Sequence, residues 1–160
     1  MVRAAVIALL ISLLPVHALA EGRVALLIGN GAYTRVPALP NPPRDAAAMA
    51  DLLGKAGFDI IEKKDLGADA MRRALRDFSD HVRDADVAVV FYTGHGMEMN
   101  GVNYLIPVDA TIARDVDVED EAVLLDRVIR TIEPARRGSS SSSWTRAATT
   151  PSCARCAARL

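Results

Sequence analysis

The chain has 160 residues, is 51% hydrophobic and 24% charged, and carries a formal net charge of -1. These values fit one globular domain and exclude a disordered or fibrous chain. Residues 21 to 138 hold 15 Lys and Arg against 20 Asp and Glu, a mildly acidic body in which nothing suggests a nucleic-acid surface.

The first twenty residues read as an export signal. Arg3 gives a positive start, Ala4 to Leu14 is an apolar run, and Ala18-Leu19-Ala20 precedes Glu21 as a small-residue cleavage site. The run is too short to favour a membrane-spanning helix. The mature protein is therefore expected to be exported, periplasmic or extracellular, with no stable membrane span after cleavage. Both cysteines, Cys153 and Cys156, lie in the last eight residues, so the body itself does not depend on disulfides.

After the leader, Val24 to Ile28 reads as a fully buried strand ended by Gly29-Asn30-Gly31. A loop punctuated by Pro37, Pro40, Pro42 and Pro43 follows. Pro43 suits the first turn of a helix running to about Ala56, with Ala46, Met49, Leu53 and Ala56 at helical steps and Gly57 as its stop. Phe58 to Ile61 is a second short strand. Ala68 to Arg83 is a second amphipathic helix, with Met71, Leu75, Phe78 and Val82 on one stripe. Val87 to Tyr92 is a third strand. This order predicts a parallel sheet with helices on both faces.

Met97 to Asn103 reads as a turn region around Asn100-Gly101, and Tyr104 to Val108 as a short extended piece. Asp109 to Glu121 is acidic and irregular, and Glu121 to Ile132 is a predicted third helix. The fold then wants another buried strand, but the chain turns abruptly at Gly138 into Ser139 to Ser143 and a tail of Ser, Thr, Ala and Arg. Residues 139 to 160 are expected to form a disordered low-complexity tail.

Chemistry is concentrated where the third strand ends, in Phe91-Tyr92-Thr93-Gly94-His95-Gly96-Met97. Two flanking glycines let a substrate backbone approach the imidazole closely, and the ends of strands are where open α/β sheets place their sites. The alternative is a structural histidine capping a strand. His81, beside the apolar stripe of the second helix, reads as a surface residue. Asp45 is either a site acid or an early-turn acid favoured by the helix dipole. The acidic run Asp115, Asp117, Glu119, Asp120 and Glu121 lacks the spacing and central glycine of an EF-hand, which favours a solvated loop over a calcium site. Cys153-Ala154-Arg155-Cys156 has redox or zinc half-site spacing but no further ligands.

Several pieces taken together resemble the caspase-like cysteine peptidases, in particular their bacterial metacaspase-like branch. They are Arg23 to Asn30 with Tyr33, Leu39-Pro40-Asn41-Pro42 followed by Asp45-Ala46, Gly57-Phe58, Tyr92 to Gly96, and Gly101 to Asp109. The match covers about residues 22 to 134 and implies a p20-type catalytic domain. The fold it implies is a three-layer α/β sandwich of the caspase-hemoglobinase kind around a mostly parallel sheet, here incomplete at its C-terminal side. It also implies a Cys-His endopeptidase acting on polypeptides without metal or organic cofactor. His95 matches the catalytic histidine, the Gly96 N–H an oxyanion-hole donor, and Asp45 an acid of a pocket for Arg or Lys. Arg44 departs from the family, many of whose members carry Asn before that Asp. The larger departure is that the family's cysteine, at the end of the next strand, is missing.

The tail fits a slipped reading frame. If the frame shifts near Gly138, serine codons of the TCN type encode only Phe, Leu, Ile or Val across their boundaries, so the five serines become the missing apolar strand. The last base of the single Trp144 codon then joins Thr145 to give aspartate without choice. Arg146 to Ser152 allow Ala-Cys-Arg-Asp-Asn-Pro-Phe, which resembles the nucleophile motif of the same branch. The alternative is a non-catalytic relative that uses the domain as an interaction module. A phosphoacceptor-like signalling domain is a remoter reading, opposed by the export signal and the Gly-His-Gly loop.

Overall fold

The structure is a computed structural model that describes residues 22–133. The leader, the serine-rich tail with its proposed frame shift, and the Cys153/Cys156 pair lie outside the described residues.

A parallel sheet forms the centre. Strand β1 (Arg23–Gly29) lies between β2 (Asp59–Lys64) and β3 (Val87–Thr93), in the order β2-β1-β3. Its side chains alternate between two apolar layers, as strand geometry requires. Ala25 and Leu27 pack with Val89, Phe91 and Ile60 against Met49, Ala50 and Leu53 of helix α1 (Pro42–Lys55). Val24, Leu26 and Ile28 point the other way. They meet Met71, Leu75, Phe78 and Val82 of helix α2 (Ala68–Val82), together with Val128 of helix α4 (Leu125–Ile132). The three-layer α/β arrangement expected from the sequence is thus present.

Local chemistry explains the helix ends. Pro42 and Pro43 open α1, where a missing N–H costs nothing. Its end is a Schellman closure: the Gly57 N–H donates to Gly54 and the Phe58 N–H to Leu53. Leu53 and Phe58 also pack in one apolar cluster.

Two expectations are corrected beyond β3. Residues 97–103 are not merely a turn region: β4 (Gly96–Met99) and β5 (Val102–Leu105) pair antiparallel, with Met99 opposite Val102. Asn100 (φ 53) and Gly101 (φ 78) close this hairpin in the left-handed conformation that a two-residue turn demands. The helix expected to begin at Glu121 also begins later, at Leu125, and the stretch expected to be irregular up to Glu121 ends in a helical turn. Helix α3 (Asp117–Glu121) stops, Ala122 is extended, and β6 (Val123–Leu124) pairs with β5 before α4 begins. Pairing with β5 buries Val123, and the Arg72 guanidinium caps the break by donating to the carbonyls of Asp120 and Ala122.

This second sheet, β4-β5-β6, has its own small core. Tyr33, Tyr104, Ile106, Ala110, Val118 and Ala122 are buried there. No helix among the described residues is long and apolar enough to cross a membrane.

Candidate active site

The site is built where β1 and β3 end together. Gly29 stands opposite Thr93, and the Asn30 N–H donates to the Thr93 carbonyl at 2.9 Å. The loop after β1 is then pinned by two side chains. Asn30, fully buried, accepts from the Leu66 N–H at 2.9 Å and donates to the Leu66 carbonyl at 3.2 Å. One Asp65 carboxylate oxygen accepts the N–H groups of Gly31 and Ala32, each at 2.8 Å. The pinned loop carries Tyr33 and Pro37 onto His95.

His95 is half-buried and held at both its backbone and its ring. Its N–H donates to the Tyr33 hydroxyl at 2.7 Å. Its carbonyl accepts from the Tyr92 hydroxyl at 2.8 Å and from the Ile106 N–H at 3.0 Å. The ring lies edge-on to Tyr33, with centroids 4.5 Å apart. Its Nε2 sits 3.0 Å from the Pro37 carbonyl. A carbonyl can only accept, so Nε2 carries a proton, and the tautomer that fits this contact has its lone pair on Nδ1.

Burial pushes the Tyr33 phenol up and the Tyr92 phenol far above the usual range, so both remain neutral donors at any working pH. Gly94 is required by close approach: a Cβ there would stand 2.6 Å from the Tyr33 hydroxyl and 2.7 Å from that of Tyr92.

The other expected site residues lie at the same end of the sheet. Gly96 is exposed and opens β4 opposite Leu105. Asp45 is exposed in the first turn of α1, whose Pro42 and Ala46 touch Gly29 at the end of β1. Its carboxylate forms no ion pair among the described residues and no direct bond to His95. His81 is exposed on α2 and bonds the Asp77 carbonyl within its own helix. The acidic run does not converge: Asp117 binds Arg114, Glu121 accepts the Thr111 N–H, and no three potential metal ligands cluster among the described residues.

Sequence reasoning left three residues out of the site: Tyr33, Tyr92 and Pro37. A tyrosine shortly after the first strand was the available signal for Tyr33. Pro37 acts through its backbone carbonyl, which no side-chain pattern announces.

Comparison with known proteins bears on the family and the fold. The caspase domain family matches residues 22–131. The mucosa-associated lymphoid tissue lymphoma translocation protein 1 of Homo sapiens is 36% identical over 92 residues, 58% of this chain and 11% of that protein. Its Mus musculus homolog is 35% identical over the same length. The chain thus matches only about a tenth of the length of these curated relatives. The crystal structure of the Drosophila initiator caspase Dronc superposes with a TM-score of 0.56 at 15% identity, covering 71% of this chain and 42% of that one. The chain belongs to the caspase domain family.

Proposed function

We propose that this domain is the histidine-bearing half of an exported Cys-His endopeptidase that cleaves polypeptides after Arg or Lys. The observation that carries the reading is the His95 ring, whose Nε2 lies 3.0 Å from the Pro37 carbonyl; an Nε2–H donated there leaves Nδ1 to act as the base. In the proposed mechanism Nδ1 takes the proton of a cysteine thiol, and the thiolate attacks the scissile carbonyl. The same proton then passes to the leaving amine as the acyl-enzyme forms, and water releases the acyl group. The Gly96 N–H serves as one oxyanion donor, a contribution of about 2.7–4 kcal/mol per donor in other proteases. Asp45, exposed and without an ion pair among the described residues, receives the basic side chain of the substrate.

On this reading the nucleophile is encoded in the alternate frame beneath Arg146 and Ala147. A 160-residue polypeptide with the printed tail lacks it, so we expect that polypeptide to have negligible peptidase activity. The absence of cysteine between residues 21 and 138 is also what favours the second reading, a non-catalytic interaction module.

Resequencing the gene around codon 138 separates the two. A single-base slip that opens the Asp-Ala-Cys-Arg frame supports the peptidase; a verified serine tail supports the module. The corrected protein should cleave fluorogenic Arg- or Lys-peptides, and His95→Ala should abolish that turnover. Turnover by the printed chain that depends on His95 would sink the proposal that it is inactive.

A further inference from the structure

We infer that Tyr33 and Tyr92 are positioning residues for His95, their hydroxyls gripping the two sides of its backbone through the gap left by Gly94. The inference rests on the reading of His95 as the base of the dyad.

A histidine between two glycines has a loosely restrained backbone, whereas proton transfer requires the ring to be held within a few tenths of an ångström. One ring bond, from Nε2 to Pro37, cannot fix both the direction of the side chain and the plane of the peptide that carries it. The hydroxyls supply the remaining restraints. The His95 N–H donates to the Tyr33 oxygen, so the Tyr33 proton must point elsewhere, and the Ile106 carbonyl lies 3.1 Å away. The Tyr92 hydroxyl lies 2.8 Å from the His95 carbonyl and 2.9 Å from the Ile106 carbonyl, and with Tyr33 serving Ile106 its proton goes to His95.

The two oxygens are themselves 3.2 Å apart. Together they link the loop after β1, the end of β3 and the segment after β5 at one point. The two hydroxyl protons thereby serve the carbonyls of Ile106 and His95, and the Tyr33 oxygen receives the His95 N–H. A methyl group at position 94 would occupy the place where the hydroxyls meet. Tyrosines needed only as core filler would have no reason to aim both hydroxyls at the backbone of one residue. Tyr33 alone in this cluster also lays its ring against the imidazole.

The test is NMR of the isotopically labelled 160-residue chain, read at the His95 amide and the two ring nitrogens. Tyr33→Phe and Tyr92→Phe keep the rings and remove only the hydroxyls. Tyr104→Phe, in the same buried cluster, is the control for a purely structural role. Tyr33→Phe is expected to speed exchange of the His95 amide on the order of tenfold, the scale of one lost hydrogen bond. Both site variants should also change the ring from a single Nε2–H tautomer to a mixture, while Tyr104→Phe leaves it alone. Unchanged ring nitrogens in both site variants would overturn the inference, as would an equal change in the control.

If either tyrosine variant fails to fold, Gly94→Ala makes the same displacement with both hydroxyls present and must give the same tautomer mixture. In a frame-corrected enzyme the site variants should lower kcat by about tenfold to a hundredfold with KM unchanged, misplacement being felt in the chemical step. The imidazole readout needs no nucleophile. A corrected protein without His95-dependent turnover would therefore sink the peptidase reading and leave this measurement intact.

Discussion

The two outer strands of the parallel sheet are opposites. β2 reads Asp59-Ile60-Ile61-Glu62-Lys63-Lys64, with a 3.0 Å ion pair between Lys64 and Glu62. β3 reads Val87-Ala88-Val89-Val90-Phe91-Tyr92-Thr93, with no charge, proline or glycine. Charged side chains are how native sheets stop an exposed edge from recruiting another strand, and β2 has them. β3 instead has the continuous apolar composition of a strand covered on both faces and flanked on both sides. Val89 and Phe91 enter the α1 layer while Ala88, Val90 and Tyr92 enter the α2 layer, and only one of its edges is paired among the described residues. One edge is finished; the other is composed as an interior strand.

The most damaging change should be one that removes the element between the two edges. Leu26 in β1 is wholly buried, and Leu26→Ala should cost about 2–5 kcal/mol in urea denaturation. Both edges depend on β1, so slow amide exchange should be lost in β2 and β3 together. If β2 kept its protection while β3 lost it, the sheet would not be one cooperative unit. Gly94→Ala acts at the end of β3 only and should cost about 1–3 kcal/mol by crowding the two hydroxyls. Its melting shift should be accompanied by changes around His95 and not along β2.

The edge contrast itself predicts association, not instability. Val87, partly exposed at the start of β3, is a site where a charge can be added at little folding cost. The chain should self-associate with rising concentration in light scattering, and Val87→Lys should move the onset several-fold higher at a stability change within about 0.5 kcal/mol. The reverse change on β2, Lys63→Val with Lys64→Val, should lower the onset. An onset insensitive to either pair would mean that association, if present, uses another surface.

How much of this was legible depended on whether a signal was local. The β1-α1-β2-α2-β3 order follows from unbroken apolar runs and helical stripes, and a buried run such as Val24 to Ile28 leaves little choice. The hairpin was half legible: Asn100-Gly101 marks a turn, but strands of four residues are too short for alternation to stand out. At Val123-Leu124 the apolar pair merges with the stripe of α4, and only pairing with β5 shows that it is a strand. In the site, the glycines around His95 are a local mark. Tyr33 reaches His95 across 62 residues of sequence, a contact that no spacing rule encodes.

The smallest expected effect is a pH response that separates the second sheet from the first. Asp117 accepts from the N–H groups of Ala113 (3.1 Å) and Arg114 (2.8 Å), and from the Arg114 guanidinium at 2.7 Å. The guanidinium bond, ahead of the backbone N–H bonds, holds the Asp117 carboxyl below its ordinary value. A depressed acid contributes fully above the ordinary aspartate value near 3.9 and loses that contribution as the pH falls through its folded value. Acidification should therefore shift the Ala113 and Arg114 amide resonances, and Asp117→Asn should remove that step. Arg114 is exposed and Asp117 only partly buried, so solvent screens the pair and the melting temperature should barely move. Neither edge of the parallel sheet contains Asp117, so the association onset should be the same for Asp117→Asn as for the parent chain. If Asp117→Asn promoted association as strongly as stripping the lysines from β2, the adhesive surface would lie near α3, and β3 would lose its claim to be the unfinished edge.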